Sequence, residues 1–120
     1  MPIEGVVNFD SNGLLLGITH APGTSTIALV AAGVYKVTFS VSGTEPNQFA
    51  LFDNAALVPG TIYGSGAGTQ QNVGQVIAQF SAGDVLTLVN HSSASAVGLA
   101  SVIGGTQANV NASVTIEKLA

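Results

Sequence analysis

The sequence predicts an all-β fold, a two-sheet sandwich or jelly roll of about ten short strands. Three observations predict it. Apolar residues recur with a period of two through most of the chain, as they do in strands that bury one face. Val, Ile and Thr are abundant, and their branched Cβ suits a pleated surface. Turn-forming pairs punctuate the alternation, and no convincing helical stretch interrupts it. The 120 residues fit one domain spanning 1–120, because two cores cut from this length would each be too small to stand without staples.

In chain order the expected strands begin with Val6–Phe9, Leu14–Gly17 and Thr26–Val30, separated by the turn residues Asn12-Gly13 and Pro22-Gly23. The clearest strand is Val34–Ser42. Tyr35, Val37, Phe39 and Val41 point one way, toward a core, while Lys36, Thr38, Ser40 and Ser42 point the other. Phe49–Asp53 follows, with Asp53-Asn54 read as a hairpin turn, then Thr61–Tyr63 after Pro59-Gly60, and Val73–Phe80. Ala82-Gly83-Asp84 is a turn in which the Asp84 carboxylate satisfies backbone amides. Val85–Asn90 comes next, and its start is apolar on both faces, which places it centrally in its sheet. Ala96–Val102 precedes the last strand, where Val110, Ala112, Val114 and Ile116 share one face and Asn109, Asn111, Ser113, Thr115 and Glu117 the other. Gly64–Gln71 and Asn90–Ser95 break the rhythm and are expected to be flexible connecting loops. No internal repeat and no Gly-X-Y run is present.

Charge narrows the function. Only 7% of residues are charged, against roughly 25% in an ordinary soluble domain, while the apolar share of 47% is normal. Net charge is −4, and Lys36 and Lys118 are the only cations apart from the N-terminus. Nucleic acid and anionic membrane surfaces are therefore excluded as partners, since both need clustered cations. No run approaches the roughly 18 apolar residues of a membrane helix, so no membrane insertion is expected, and the first ten residues lack the pattern of a leader peptide. With no cysteine, the chain forms no disulfide, thiolate metal site or cysteine nucleophile. Oligomerisation is the remaining way to reinforce a small domain, and a polar surface of low charge is only weakly self-repelling.

No set of side chains suggests catalysis. His20 and His91 are the only histidines, without metal-binding spacing, and both read as structural or solvent-exposed. Glu4, Asp10, Glu45, Asp53, Asp84 and Glu117 are scattered singly, which suits neither a calcium loop nor a carboxylate pair. Gly-x-Ser-x-Gly is absent, and the glycines from Gly64 to Gly68 lack the lysine and following helix of a phosphate loop. Asn90-His91-Ser92 and Asn111-Ala112-Ser113 match the N-glycosylation triplet, which occurs often by chance. Tyr35 and Phe39 belong to a core-facing parity. Tyr63, beside Pro59-Gly60 and the glycine-rich stretch, is the aromatic best placed for exposure and ranks first as a candidate ligand contact. Catalytic residues, cofactors and metals are all expected to be none.

Gly33-Val34-Tyr35-Lys36-Val37 resembles the Gly-x-Tyr strand of the complement and tumour-necrosis-factor type of jelly roll. Val58-Pro59-Gly60-Thr61, Tyr63-Gly64 and Phe80-Ser81-Ala82-Gly83-Asp84-Val85-Leu86 follow in that family's order. The ending from Asn111 to Ala120 is most similar to the C-terminal heads of collagen-like exosporium glycoproteins of spore-forming bacilli. The resemblance covers roughly Ile27 to the C-terminus. It implies a ten-stranded, tumour-necrosis-factor-like jelly roll, homotrimeric, that caps a collagen-like stalk on the outside of a spore or cell. No stalk is present in this sequence. In the family one sheet holds the first, last and third main strands and packs against neighbouring subunits. That places Thr38, Ser40, Asn111, Ser113 and Thr115 at the trimer contact. The implied role is structural trimerisation and extracellular surface display, not enzymatic. The partners are further copies of the chain, together with other spore-coat or surface proteins or glycans. Two alternatives remain open: a trimeric binding module, either a lectin or a host-receptor ligand, and a phage fibre tip.

Overall fold

The computed structural model describes residues 1–68 and 70–120. Nine strands form among them: β1 (Ile18–Thr19), β2 (Ile27–Leu29), β3 (Gly33–Ser42), β4 (Asn47–Asp53), β5 (Ala56–Leu57), β6 (Tyr63–Ser65), β7 (Gln71–Phe80), β8 (Val85–Val89) and β9 (Ala112–Lys118). They pair antiparallel throughout and build two sheets, a jelly-roll-like sandwich with no helix among the described residues. One sheet has the order β1-β2-β8-β4-β5, with β6 added beside the first residues of β4; the other has the order β7-β3-β9. β8 lies at the centre of its sheet, as its two apolar faces predict.

Alternation on β3 decides what lies inside. Tyr35, Val37, Phe39 and Val41 are at most 2% exposed. They meet Leu29, Phe49, Leu51, Leu86 and Leu88 of the facing sheet, all of them buried. Pairing with β3 then carries the parity outward to its neighbours. Val37 stands opposite Val76 and Ile116, and Phe39 opposite Gly74 and Val114. Gly74 is required there, since a Cβ at this position would collide with the rings of Phe39 and Tyr63. On β4 the inward parity runs Asn47, Phe49, Leu51, Asp53, so this strand closes both ends of the core with a polar side chain. Asn47 Oδ1 accepts from Asn72 Nδ2 at 2.9 Å, and the same Nδ2 donates to the Tyr63 carbonyl at 2.7 Å.

Several expected elements differ. Val6–Phe9 forms isolated bridges, Val6 to Val89 and Phe9 to Thr24, in place of a strand. Leu14–Gly17 is irregular, with Leu14 and Leu16 exposed, and the strand starts later, at Ile18. Thr61 is fully buried and its hydroxyl bonds the carbonyls of Val58 (2.7 Å) and Leu51 (3.2 Å), so β6 begins only at Tyr63. Ala96–Val102 makes no continuous ladder because its amides go to three different partners, Val97 to the Met1 carbonyl, Gly98 to the Glu45 carboxylate and Ala100 to the Ser42 carbonyl. The segment around Val7 does not join β3 and β9; Val7 is buried with its N–H on the Leu88 carbonyl at 2.8 Å, in the other sheet. Of the two expected flexible loops, Gly64–Gln71 gives residues to β6 and β7, and Thr69 lies outside the described residues. Asn90–Ser95 is irregular but anchored: Asn90 is fully buried and donates to the carbonyls of Met1 and Pro2, both at 3.1 Å. Ser93 accepts from the Gln48 N–H at 2.9 Å.

Two substitutions test this packing. Gly74→Ala drives the new methyl into Phe39 and Tyr63 and is expected to lower stability by about 1–3 kcal/mol in urea unfolding. Phe39→Leu in the same chain should recover part of that loss. Asn90→Ala leaves two backbone carbonyls without their buried donor and should cost about 1–3 kcal/mol, with faster hydrogen exchange at Glu4 and Val7 as the local sign.

Candidate functional site

The same alternation that fills the core gives β7-β3-β9 an outward face of even-numbered β3 residues with their cross-strand partners. Lys36 lies between Ile77 and Glu117, Thr38 between Gln75 and Thr115, and Ser40 between Val73 and Ser113. Ser42 and Asn111 end the series, joined by the Ser42 N–H donating to the Asn111 carbonyl at 2.7 Å. All five residues expected at a subunit contact, Thr38, Ser40, Asn111, Ser113 and Thr115, thus share one face. Ser40 Oγ accepts from Gln71 Nε2, and Asn111 Nδ2 donates to Ser101 Oγ at 3.2 Å. Among the described residues the side-chain hydroxyls of Thr38, Ser113 and Thr115 have no partner and stand ready for one.

This face also carries apolar residues that sequence reasoning missed. Val73 and Ile77 of β7 are 53% and 61% exposed, and Leu119, opposite Val34 beyond the end of β9, is 47% exposed. Both parities of β7 mix apolar and polar residues, so only its register with β3 shows which ones face outward. Lys36 and Glu117 are opposite in sign and adjacent, so the face is close to neutral.

Beyond β9 the sheet ends. The bonds Ser42 N–H to Asn111 and Leu119 N–H to Val34 fix which β9 residues serve the ladder, and the antiparallel pattern then turns the backbone groups of Ala112, Val114, Ile116 and Lys118 to the free edge. A groove of about 630 Å³ runs along that edge, walled on its far side by Asn8 to Leu15. His20 opens onto it, yet both ring nitrogens are used within its own loop, Nδ1 with Asn12 Oδ1 at 2.5 Å and Nε2 with the Thr24 carbonyl at 2.8 Å.

Tyr63 borders the outward face at the β7 side, half-buried. Its ring meets Phe39 edge-on at 5.8 Å, and its hydroxyl donates to the Gln75 carbonyl at 3.0 Å. What remains accessible of it lines a shallow depression with Lys36, Gln75 and Ile77. His91 pairs with Glu4 at 2.5 Å and lies edge-on to Phe52, far from His20 in role and partners. Among the described residues no three His, Asp or Glu side chains are grouped to hold a metal ion.

Order, spacing and surface can now be set beside known proteins. No curated protein matches the sequence. The family model of the BclA C-terminal domain matches residues 2–120, a span that includes all nine strands. The chain therefore belongs to the BclA C-terminal domain family, that of the C-terminal domain of an exosporium collagen-like glycoprotein.

Proposed function

We propose that this chain is a non-catalytic trimerisation and display head of a collagen-like protein on the spore surface. The observation that carries the reading is the outward face of β7-β3-β9. It is nearly neutral, it has a hydroxyl half on β9 and, on β7, the exposed Val73 and Ile77 set among glutamines, and it continues into the unpaired edge of β9. Such a surface has little to hold it in water and suits contact with identical copies. Close packing of small hydroxyls allows direct and water-mediated hydrogen bonds, and Val73, Ile77 and Leu119 add apolar area. A cyclic trimer protects three free edges at once, which a soluble β protein must cover or blunt. Family membership places related chains in the exosporium, outside the cell, and supports that location here.

A second reading rests on the depression beside Tyr63. An aromatic edge, one cation and an amide in a shallow site suit weak capture of a sugar, and because Lys36, Gln75 and Ile77 belong to the outward face, this reading requires the β7 side of that face to stay uncovered between copies.

Light scattering over a wide dilution range should give a particle of about 36 kDa, three times the 11.9 kDa chain. A 12 kDa species at all concentrations would remove the trimer reading. Ser113→Lys places a charge at the centre of the hydroxyl half and should shift the particle to monomer, with the β-sheet circular dichroism unchanged. For the second reading, a glycan array is expected to show binding that Tyr63→Ala abolishes; a blank array at high protein concentration sinks it.

A further inference from the structure

The end of the sandwich away from Asn47 is closed by two carboxyl groups. Asp53 keeps the inward parity of Phe49 and Leu51 and stands opposite Leu86, which is fully buried. Asp84, in the turn between β7 and β8, is 9% exposed, and it lies diagonal to Asp53 across the β4–β8 pairing, where Asn54, the residue after Asp53, reaches its Oδ1 at 3.0 Å. Their partners are unequal. Asp84 accepts from the Ser81 N–H at 2.9 Å and from Asn54 Nδ2 at 3.0 Å. Among the described residues Asp53 has no donor, and its Oδ1 is buried without any partner.

Among the described residues no cation answers the pair. The neighbouring strands β2, β5 and β8 contain no titratable side chain, and Asp84 is the only such group in the turn. Lys36 points outward from the other sheet, Lys118 at the end of β9 lies along Gly33 and not on the carboxyl pair, and the N-terminal amine is held by the Val97 carbonyl. His91 is paired with Glu4 and packs on Phe52, whose parity is outward. Two adjacent carboxylates without a cation do not both ionise readily.

We propose that Asp53 keeps a proton and donates it to Asp84, forming a proton-dependent lock between the β4–β5 hairpin and the β7–β8 turn that is firm in mildly acidic solution and weak at neutral pH. The parts that the lock joins are already set. Asn54 and Ala55, both with positive φ (50° and 65°), make the tight hairpin, and Asn54 reaches across to the Val85 N–H at 2.9 Å and the Val85 carbonyl at 2.8 Å. The shared proton supplies the one bond that Asp53 otherwise lacks.

Titration follows the same logic. Burial, then the adjacent Asp84, pushes Asp53 up to about 6, while the Ser81 amide holds Asp84 below its ordinary value. A carboxyl whose folded pKa is raised binds its proton more tightly in the folded chain. Its contribution is complete below the unfolded value of 3.8 and is lost as pH rises through about 6. Asp84 works in the opposite sense and in a more acidic range, so Asp53 governs the window between.

The test is a carbon-detected NMR titration of the aspartate carboxyls in the intact protein, together with urea unfolding at pH 5 and pH 7.5. One aspartate should titrate near pH 6, and the unfolding constant of the unaltered protein should rise between the two conditions by about threefold with partial solvent screening, against about tenfold for the unscreened shift. Asp53→Asn should abolish both, and subtracting its profile removes whatever the histidines contribute. Ordinary titration of every aspartate, or a parallel pH profile in Asp53→Asn, overturns the lock. Stabilisation by millimolar calcium chloride at pH 7.5 that Asp53→Asn removes also overturns it, because the pair then takes a divalent cation and not a proton. Should Asp53→Asn fail to fold, the carboxyl titration of the unaltered protein decides alone.

Discussion

The inward face of β3 is the constraint on which the rest of the molecule depends. Tyr35, Val37, Phe39 and Val41 are anchored in the core, and burial of side chains of this size contributes about 1.5–3 kcal/mol each. β7 and β9 align on this strand over ten and seven paired positions, so their facing is not independent. A slip of one residue would turn Val114 and Ile116 outward and bring Ser113 and Thr115 into the core. The outward hydroxyl surface is therefore a by-product of core register before it is anything functional.

How much of this was legible in the residues depends on how strictly each segment alternates. β3 alternates strictly from Tyr35 to Ser42 and the last strand from Val110 to Glu117, and their outward residues, including all five expected at a contact, could be named with no knowledge of the fold. β7 could not be treated in this way. Its two parities, Gln71, Val73, Gln75, Ile77, Gln79 and Asn72, Gly74, Val76, Ala78, Phe80, each mix polar with apolar residues, and the choice between them comes from a partner elsewhere in the chain. Leu14–Gly17 and Ala96–Val102 had strand-like composition but no continuous partner, and composition does not record where hydrogen bonds go. Asp53-Asn54 reads as a hairpin turn, and the turn falls one residue later, on Asn54 and Ala55, with Asp53 the last residue of β4. Its inward direction was hidden in the parity of Phe49 and Leu51, two and four residues before it.

The sparse charge of the chain has different consequences at different places. On the outward face of β7-β3-β9 it leaves a neutral surface suited to the proposed self-association. At the closed end of the core it leaves Asp53 beside Asp84 with no lysine or arginine to compensate, which in a chain of ordinary composition would be the usual remedy. Replacing charged residues with Gly, Ala, Ser, Thr, Asn and Gln thus removes repulsion between copies and also removes the means of neutralising a buried acid.

The pairing of β3 with β9 also governs when the fold can form. Thr38 and Thr115 face one another although most of the chain separates them, so one side of the central strand has no partner until nearly the whole sequence has been synthesised. Contacts of such long range slow folding, because the intervening chain must be ordered before they are made. β3 can associate first with β7, leaving an exposed row of backbone groups that the C-terminal strand covers last. A nascent chain held at that stage carries its most adhesive edge at the middle of the future sheet, and rapid release of β9 then matters as much to a soluble product as the stability of the finished sandwich.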